Sequence, residues 1–384
     1  MANTLTNLIP TIYSAKDIVL RELTGFIPAV TMDASGEMAA KDQTIRWPVV
    51  GAGSAADIAA AATGPDPADS APGSDTMTIS KSRGVSFYWT AEDQKGLGGL
   101  YAQLLKDQFA QAMRTLVNEV EADLAALYVA ASRAYGTAGT TPFGTAGDFS
   151  ALAQLRKILA DNGAPLSDLQ MVLNTTAGAN LRGQANLQSV SAAGNDSLLR
   201  RGVLLDMFGF ALRESAGVKA HTKGTAASYA LDLTAGYAVG STSIHIDSGT
   251  GTIVAGDILT NTKTARDTNK YVVKTGCAGD ADQDIVLAKP GNQVAWVNND
   301  LVTVGNNYTA NLGFSRSAIN LMMRVPAMPE GGDSADDVTV ITDELTGISF
   351  QVAMYRQRRR VAYEVGLAWG VKAVKSEAIA ILLG

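Results

Sequence analysis

One cysteine, Cys277, stands in a chain of 384 residues. No intrachain disulfide can form, and no paired-cysteine metal or redox motif exists. The two histidines, His221 and His245, are too few for a three-ligand zinc site, and no His-Glu-x-x-His run supplies one. Charged residues make up 18% of the chain, against about 25% in an ordinary globular protein. That scarcity suits a chain that hides much of its surface against other chains. No window reaches the roughly 18 apolar residues of a membrane helix, so no membrane partner is expected. The first basic residue is Lys16; without a basic opening region the expectation is folding in the cytoplasm. Asp and Glu (37) outnumber Lys and Arg (31), giving a formal net charge of −6. Autonomous nucleic-acid binding needs a positive footprint, and this balance argues against it.

The length calls for two or three compact units. Residues 11–23 carry Ile12, Ala15, Ile18, Val19 and Leu23 at helical spacing, with Gly25 and Pro28 as stops. Residues 44–50 and 75–90 read as two strands of an extended arm, separated by a stretch rich in Ala, Gly and Pro. The strongest pattern follows. Leu97, Leu100, Leu104, Phe109, Met113, Leu116, Val120, Leu124, Leu127 and Ala131 form one apolar stripe. A helix over residues 91–133 would be roughly 60 Å long. Thr90 can cap it, with Glu92 and Asp93 in the first turn. Gly96, Gly98 and Gly99 each cost about 1 kcal/mol there relative to Ala, which points to a built-in hinge.

Beyond the helix, residues 149–161 read as helix, 169–174 as strand, 176–186 as helix and 202–213 as β-rich. From 222 to 308 charge thins out and short strands are expected at 243–247, 257–260, 271–275, 284–288 and 301–304, a small inserted barrel or sandwich. A helix is expected over 315–324. The chain closes in strands with a basic turn at 356–360 and an apolar run at 378–383.

Sites of chemistry are few. Gly51-Ala-Gly-Ser-Ala-Ala56 fits a dinucleotide fingerprint, but the strand before it holds Arg46 and Pro48, and no second strand supplies the ribose acid. Asp280, Asp282 and Asp284 open like a calcium loop, yet Ile285 and Gly291 occupy the positions that need Gly and Glu. His245 alternates with Ile244 and Ile246, as on an outward strand face, and no Gly-x-Ser-x-Gly elbow is present. Cys277 reads as a small filler. No enzyme and no cofactor are expected. Arg356, Arg358, Arg359 and Arg360 form the one basic cluster. It reads either as a contact for DNA or a scaffold, or, with more weight, as a hairpin turn ion-paired to Asp343 and Glu344. Trp47, Phe87 and Trp89 are costly to expose on an arm and are candidate inter-subunit contacts.

The order of these elements resembles the Hong Kong 97-type capsid fold, an α+β architecture. The opening MANTLTNLIPTIYSAKDIVLRELTGFIPAV resembles the coat proteins of short-tailed phages that carry an inserted telokin-like domain. So do GTGTIVAGD (249–257), TNKYVV (268–273), LTGISFQV (345–352) and YEVGLAWGVKAVKSEAIAILL (363–383). The resemblance implies an N-arm (1–30), an E-loop (31–90), a spine helix with P-domain (91–148), an A-domain in two parts (149–221 and 309–334), an inserted β domain (222–308) and C-terminal core strands (335–384). It also implies a major capsid protein. Copies would form pentamers and hexamers around a scaffolding protein, with a portal at one vertex and double-stranded DNA packed without specificity, assembled in the host cytoplasm. An encapsulin-like cargo shell and a β-rich surface or adhesin protein are the alternatives.

Overall fold

The computed structural model describes residues 8–21, 25–49, 73–188, 206–262, 267–279, 282–343 and 347–384. Helices and strands mix in an α+β arrangement built on two sheets and one separate ribbon. The first sheet has six strands. Its hub is Arg360–Ala373, a strand of 14 residues, which spans about 46 Å at the usual rise. Lys81–Thr90 lies antiparallel along one edge. Along the other edge, Ser349–Gln357 pairs with the first half and Ile319–Pro326 with the second. Thr31–Ala39 adds to Ile319–Pro326 in parallel, and Asp337–Thr342 adds to Ser349–Gln357.

The second sheet has twelve strands. The apolar run near the C-terminus becomes Ile379–Leu383, with every side chain at 2% exposure or less. It lies between Tyr308–Ser315 (antiparallel) and Arg133–Tyr135 (parallel). A strand buried on both faces should read as a continuous apolar run, and this one does. Leu169–Leu173 and Phe210–Glu214 extend the sheet on one side. On the other, Lys270–Thr275 pairs with Arg133–Tyr135 and carries the sheet into the 222–308 region. That region has its own apolar core around Tyr229, Ile244, Ile246, Tyr271, Ile285 and Trp296. Its chain enters through Ala220–His221 and leaves through Tyr308, and the two passages pair with each other.

The long helix crosses the six-stranded sheet. Thr90 caps its first segment, Ala91–Leu97: Thr90 Oγ1 accepts from the Asp93 amide at 3.1 Å, and Asp93 Oδ2 accepts from the Thr90 amide at 3.3 Å. Gly98 then takes φ +52, ψ −122, and a single 3-10 turn, Gly98–Leu100, leads into Tyr101–Ala125. The expected single helix over 91–133 is therefore broken: the glycine backbone leaves the helical region where the sequence places three glycines, and past Ala125 a 3-10 stretch, Ala126–Ala130, gives way to the strand that begins at Arg133. Leu105, Phe109, Met113, Leu116, Val120 and Leu124 are each 1% exposed or less. Each contributes about 1.5–3 kcal/mol on full burial. Phe109 meets Phe87 edge-on at 5.1 Å and Tyr363 at 5.4 Å.

Three carboxylates on this helix tie other elements to it. Glu119 accepts from Arg83 Nε at 3.1 Å. Asp123 takes the Lys81 ammonium at 2.7 Å and the Trp369 indole N–H at 2.9 Å. Glu121 accepts from the backbone amides of Phe26 (2.6 Å) and Ile27 (3.1 Å) and from the Ser215 hydroxyl (2.8 Å). The approach is close enough that a Cβ at Gly25 would lie 1.7 Å from Glu121 Oε1.

Other expectations need correcting. Residues 315–324 are not a helix but a 3-10 turn, Arg316–Ala318, and a strand, Ile319–Pro326. The strand is covered on both faces, so its apolar residues lose the period of two that marks a half-exposed strand. Residues 75–90 are two strands, Gly73–Thr78 and Lys81–Thr90, which part at Ile79 and join different partners. The arm is correspondingly shorter than 31–90. Only Thr44–Val49 and Gly73–Thr78 form a two-stranded ribbon outside both sheets, and residues 50–72 lie outside the described residues.

Glu121→Ala should destabilise the subunit by about 1.5–3 kcal/mol, the usual value of hydrogen bonds to a charged acceptor. A urea melt should show the lowered midpoint, and Glu121→Gln should recover part of it.

Candidate functional site

The four arginines gather at one end of the six-stranded sheet. Arg360 pairs in register with Thr90, the residue that caps the helix, and Gln357 closes the hairpin opposite Arg360. Arg358 and Arg359 form the turn, with Arg359 at φ +61. The Arg359 carbonyl accepts from the Ala91 amide at 3.1 Å, so the basic hairpin is fastened to the start of the helix. The Arg360 guanidinium lies 5.0 Å over the Tyr88 ring, a cation–π distance, and its Nε contacts Gln357 Oε1. The Arg356 amide donates to Asp336. Arg356, Arg358, Arg359 and Arg360 are all exposed. Of their expected partners, Asp343 pairs with Lys16 at 3.2 Å, and Glu344 lies outside the described residues.

Beside this turn, Gly96, Gly98 and Gly99 have no atom within 4 Å of where a Cβ would stand. Past them Leu100 is 67% exposed, and Tyr88, on the strand next to the arginines, is 57% exposed. Leu104 is exposed as well. From the sequence, Tyr88 is one more arm residue that is costly to expose, while the exposure of Leu100 and Leu104 is not expected. Leu100 and Leu104 belong to the helical stripe, and Tyr88 alternates with buried neighbours. Leu100 and Leu104 are exposed on the helix, while Tyr88 is exposed on the sheet face opposite the one that carries Phe87 and Trp89.

Phe87 and Trp89 are the corrections. Both belong to the strand face that packs on the long helix of the same chain: Phe87 meets Phe109, and Trp89 meets Tyr101 edge-on at 5.5 Å. Trp47 lies on the ribbon, half-buried, with the Lys372 ammonium 5.8 Å from its ring centroid. Lys372 also donates to the Thr76 carbonyl at 2.7 Å and pairs with Asp75. That ammonium holds the Asp75 carboxyl below the usual carboxylate range. Met77 and Ile79 bury at the ribbon's base against Ala39, Met322 and Ala368.

The residues weighed for chemistry have other work. His221 is buried, with Nε2 2.9 Å from Asp257 Oδ1 and Nδ1 2.9 Å from the Tyr128 hydroxyl. A neutral imidazole donating through Nε2 and accepting at Nδ1 satisfies both contacts. Asp257 also accepts from the amides of Gly224 and Val254. The network fastens the entry to the 222–308 region onto the residues that end the long helix. Cys277 is buried in that region's core. Asp282 and Asp284 stand on a strand, Asp282–Leu287, rather than in a calcium loop. Their carboxylates lie 2.5 Å and 2.7 Å from the two ring nitrogens of His245. Asp280 and the 51–56 glycine motif lie outside the described residues. Among the described residues, no three His, Cys, Asp or Glu side chains converge to hold a metal ion.

His245 is raised above its ordinary pKa, chiefly by the hydrogen bond to Asp284, which together with Asp282 outweighs the opposing effect of burial. Because the folded value exceeds the unfolded one, the stabilisation is complete below about pH 6.5 and fades as pH rises through the folded pKa. NMR titration should place the His245 ring above about 6.5, its unperturbed value. Asp284→Asn should move it down and remove the matching step in thermal stability.

No protein-family model matches the sequence, and no curated protein does. Among solved structures, the chain is similar to one from Mycobacterium phage Che8, at 13% identity and a TM-score of 0.47, covering 89% of this chain and 85% of that one. It is similar to the capsid structure of the Cyanophage P-SCSP1u, at 10% identity and a TM-score of 0.49, covering 94% and 88%. It is also similar to the virus-like particle from Pyrococcus furiosus, at 9% identity and a TM-score of 0.44, covering 97% and 98%.

Proposed function

We propose that this chain is the major capsid protein of a tailed bacteriophage, a structural subunit whose copies close into an icosahedral head around double-stranded DNA. The observation that carries this reading is the ribbon of Thr44–Val49 and Gly73–Thr78, which joins neither sheet. A two-stranded ribbon is marginal by itself in water. Its half-buried Ile45 and Trp47 gain most of their remaining burial only against another copy. Two further exposed apolar groups are offered to neighbouring copies: Tyr88 beside Arg360 on one face of the six-stranded sheet, and Leu100 with Leu104 on the helix that packs on the other. Scaffolding protein and portal are the further partners in this reading, and the arginine hairpin is the contact for a scaffold or for packaged DNA. In the same reading the 1–30 arm, the 31–90 loop, the 222–308 insertion and the core parts between them keep the boundaries expected from the sequence, with the loop narrowed to its ribbon.

The mechanism is mechanical. A shell that expands on packaging needs a subunit with two shapes, and the break at Gly98 divides the helix where an added Cβ would meet no neighbouring atom. The bond from the Ala91 amide to the Arg359 carbonyl holds the short segment to the basic hairpin of the hub strand.

Co-expression with the phage's scaffolding protein should give round shells in electron micrographs. The pair Tyr88→Asp and Leu100→Asp should leave the circular-dichroism spectrum unchanged and abolish those shells; a chain that stays monomeric without either substitution overturns the reading. Gly98→Ala replaces a residue whose φ and ψ only glycine adopts readily. It should extend the helix through the break and slow heat-driven shell expansion, whereas unchanged expansion would assign the glycines to local packing alone.

A further inference from the structure

A cleft of about 340 Å³ opens between the edge strand Arg133–Tyr135, the helix Ser150–Asp161 and the residues that lead into Lys270–Thr275. It lies where the 222–308 region joins the rest of the sheet. Arg133, Lys157 and Lys270 line it, against one carboxylate, Asp161.

The Arg133 side chain is 4% exposed. It donates to Asn269 Oδ1 at 2.9 Å, to the Ile158 carbonyl at 3.3 Å and to Asn162 Oδ1 at 2.8 Å. Its Nε is enclosed with no acceptor. Asp161 stands 3.9 Å away and is shared at the same distance with Lys157. The buried Asp267 answers part of the arginine charge through Asn269, whose amide donates to it at 2.8 Å. Nothing comparable answers Lys270. Its ammonium donates to the Gly136 carbonyl, a neutral acceptor, and among the described residues no carboxylate lies within ion-pair distance of it. Burial lowers the pKa of both Lys270 and Arg133.

Charge withdrawn from water needs a counter-charge, and hydrogen bonds to neutral carbonyls replace it only in part. A polar cleft of this size, with one unanswered ammonium at its wall, a second at its rim and a buried guanidinium behind them, is shaped for a compact multivalent anion. The tetrahedral oxygens of a phosphate group match several ammonium donors at once.

We infer that this cleft is an oxyanion site that takes a phosphate group, held by Lys270 and Lys157 over the fixed charge of Arg133. The phosphate can be free inorganic phosphate or one unit of a phosphodiester backbone. The site stands whether or not the chain forms a shell, since every group in it belongs to one subunit.

The test uses the full-length chain at low salt, titrated with inorganic phosphate and followed by calorimetry and phosphorus NMR line width. Saturable binding is expected. Lys270→Gln should weaken it about tenfold or more, the loss of one charge-assisted hydrogen bond. Lys157→Gln should weaken it less, and Lys41→Gln, on a distant exposed turn, should leave it unchanged. Lys157 is exposed, so its variant keeps the test decisive if Lys270→Gln fails to fold. A short DNA duplex that displaces the phosphate identifies the backbone as the source. A duplex that leaves it bound identifies the free anion. Absence of saturable binding, equal affinity in Lys270→Gln and the parent, or displacement by chloride at matched ionic strength overturns the inference.

Discussion

Residues Arg360–Ala373 hydrogen-bond along both edges to three other strands. The first half of the strand holds Ser349–Gln357, the second holds Ile319–Pro326, and Lys81–Thr90 runs along most of the opposite edge. Its side chains also fix what lies above and below. Tyr363 packs on Phe109 of the long helix, the Trp369 indole bonds to Asp123, and Lys372 reaches the ribbon. Backbone bonds of a central strand are satisfied only in one register. A slip by one residue would exchange the buried Val365, Leu367 and Trp369 with their neighbours and separate every one of these contacts.

The long helix is the counterpart of that strand. Its apolar stripe pays the larger part of the packing energy, while Glu119, Glu121 and Asp123 give direction by gripping Arg83, the Phe26–Ile27 amides and Lys81. Apolar burial is non-directional; hydrogen bonds to carboxylates are not. Together they fix how the N-terminal turn and the edge strand lie on the helix. The apolar residues left over, Leu100 and Leu104, follow the glycine break on the exposed side of the helix, whose other side meets the sheet through Tyr101 and Phe109.

Much of this was legible in the sequence because it is local. The capping pair Thr90 and Asp93, the helical stripe to Leu124, the apolar final strand and the positions of several short strands between 243 and 304 all follow from spacing alone. What local spacing does not carry is the identity of a partner. Residues 75–90 alternate throughout, yet the chain changes partner at Ile79. Residues 319–326 are buried on both faces, and a continuous apolar run of that length does not distinguish strand from helix. Asp282 and Asp284, two residues apart, fit a loop of ligands and equally one face of a strand; the register opposite His245 decides for the strand. The candidate surface was legible residue by residue in the arginines and glycines. Its assembly beside Tyr88 depends on pairing between residues 81–90 and 360–369, far apart in sequence. Phe87 and Trp89 were misplaced for the same reason, since only the sheet shows which of two alternating faces meets the helix.

The parallel pairing of Thr31–Ala39 with Ile319–Pro326 has a consequence for the order of events during synthesis. Nearly the whole chain separates the two strands, and the hub strand that completes their sheet is made later still. Contacts of such long sequence separation close slowly. A ribosome therefore releases the N-terminal third before it has a sheet to join, with Phe26, Ile27 and the apolar stripe of the helix in search of cover. Chains in that state are prone to aggregate and are natural clients of a chaperone. The delay also has a useful side. Tyr88 meets the Arg360 guanidinium only once residues 360–369 have docked, so an unfinished chain lacks that face.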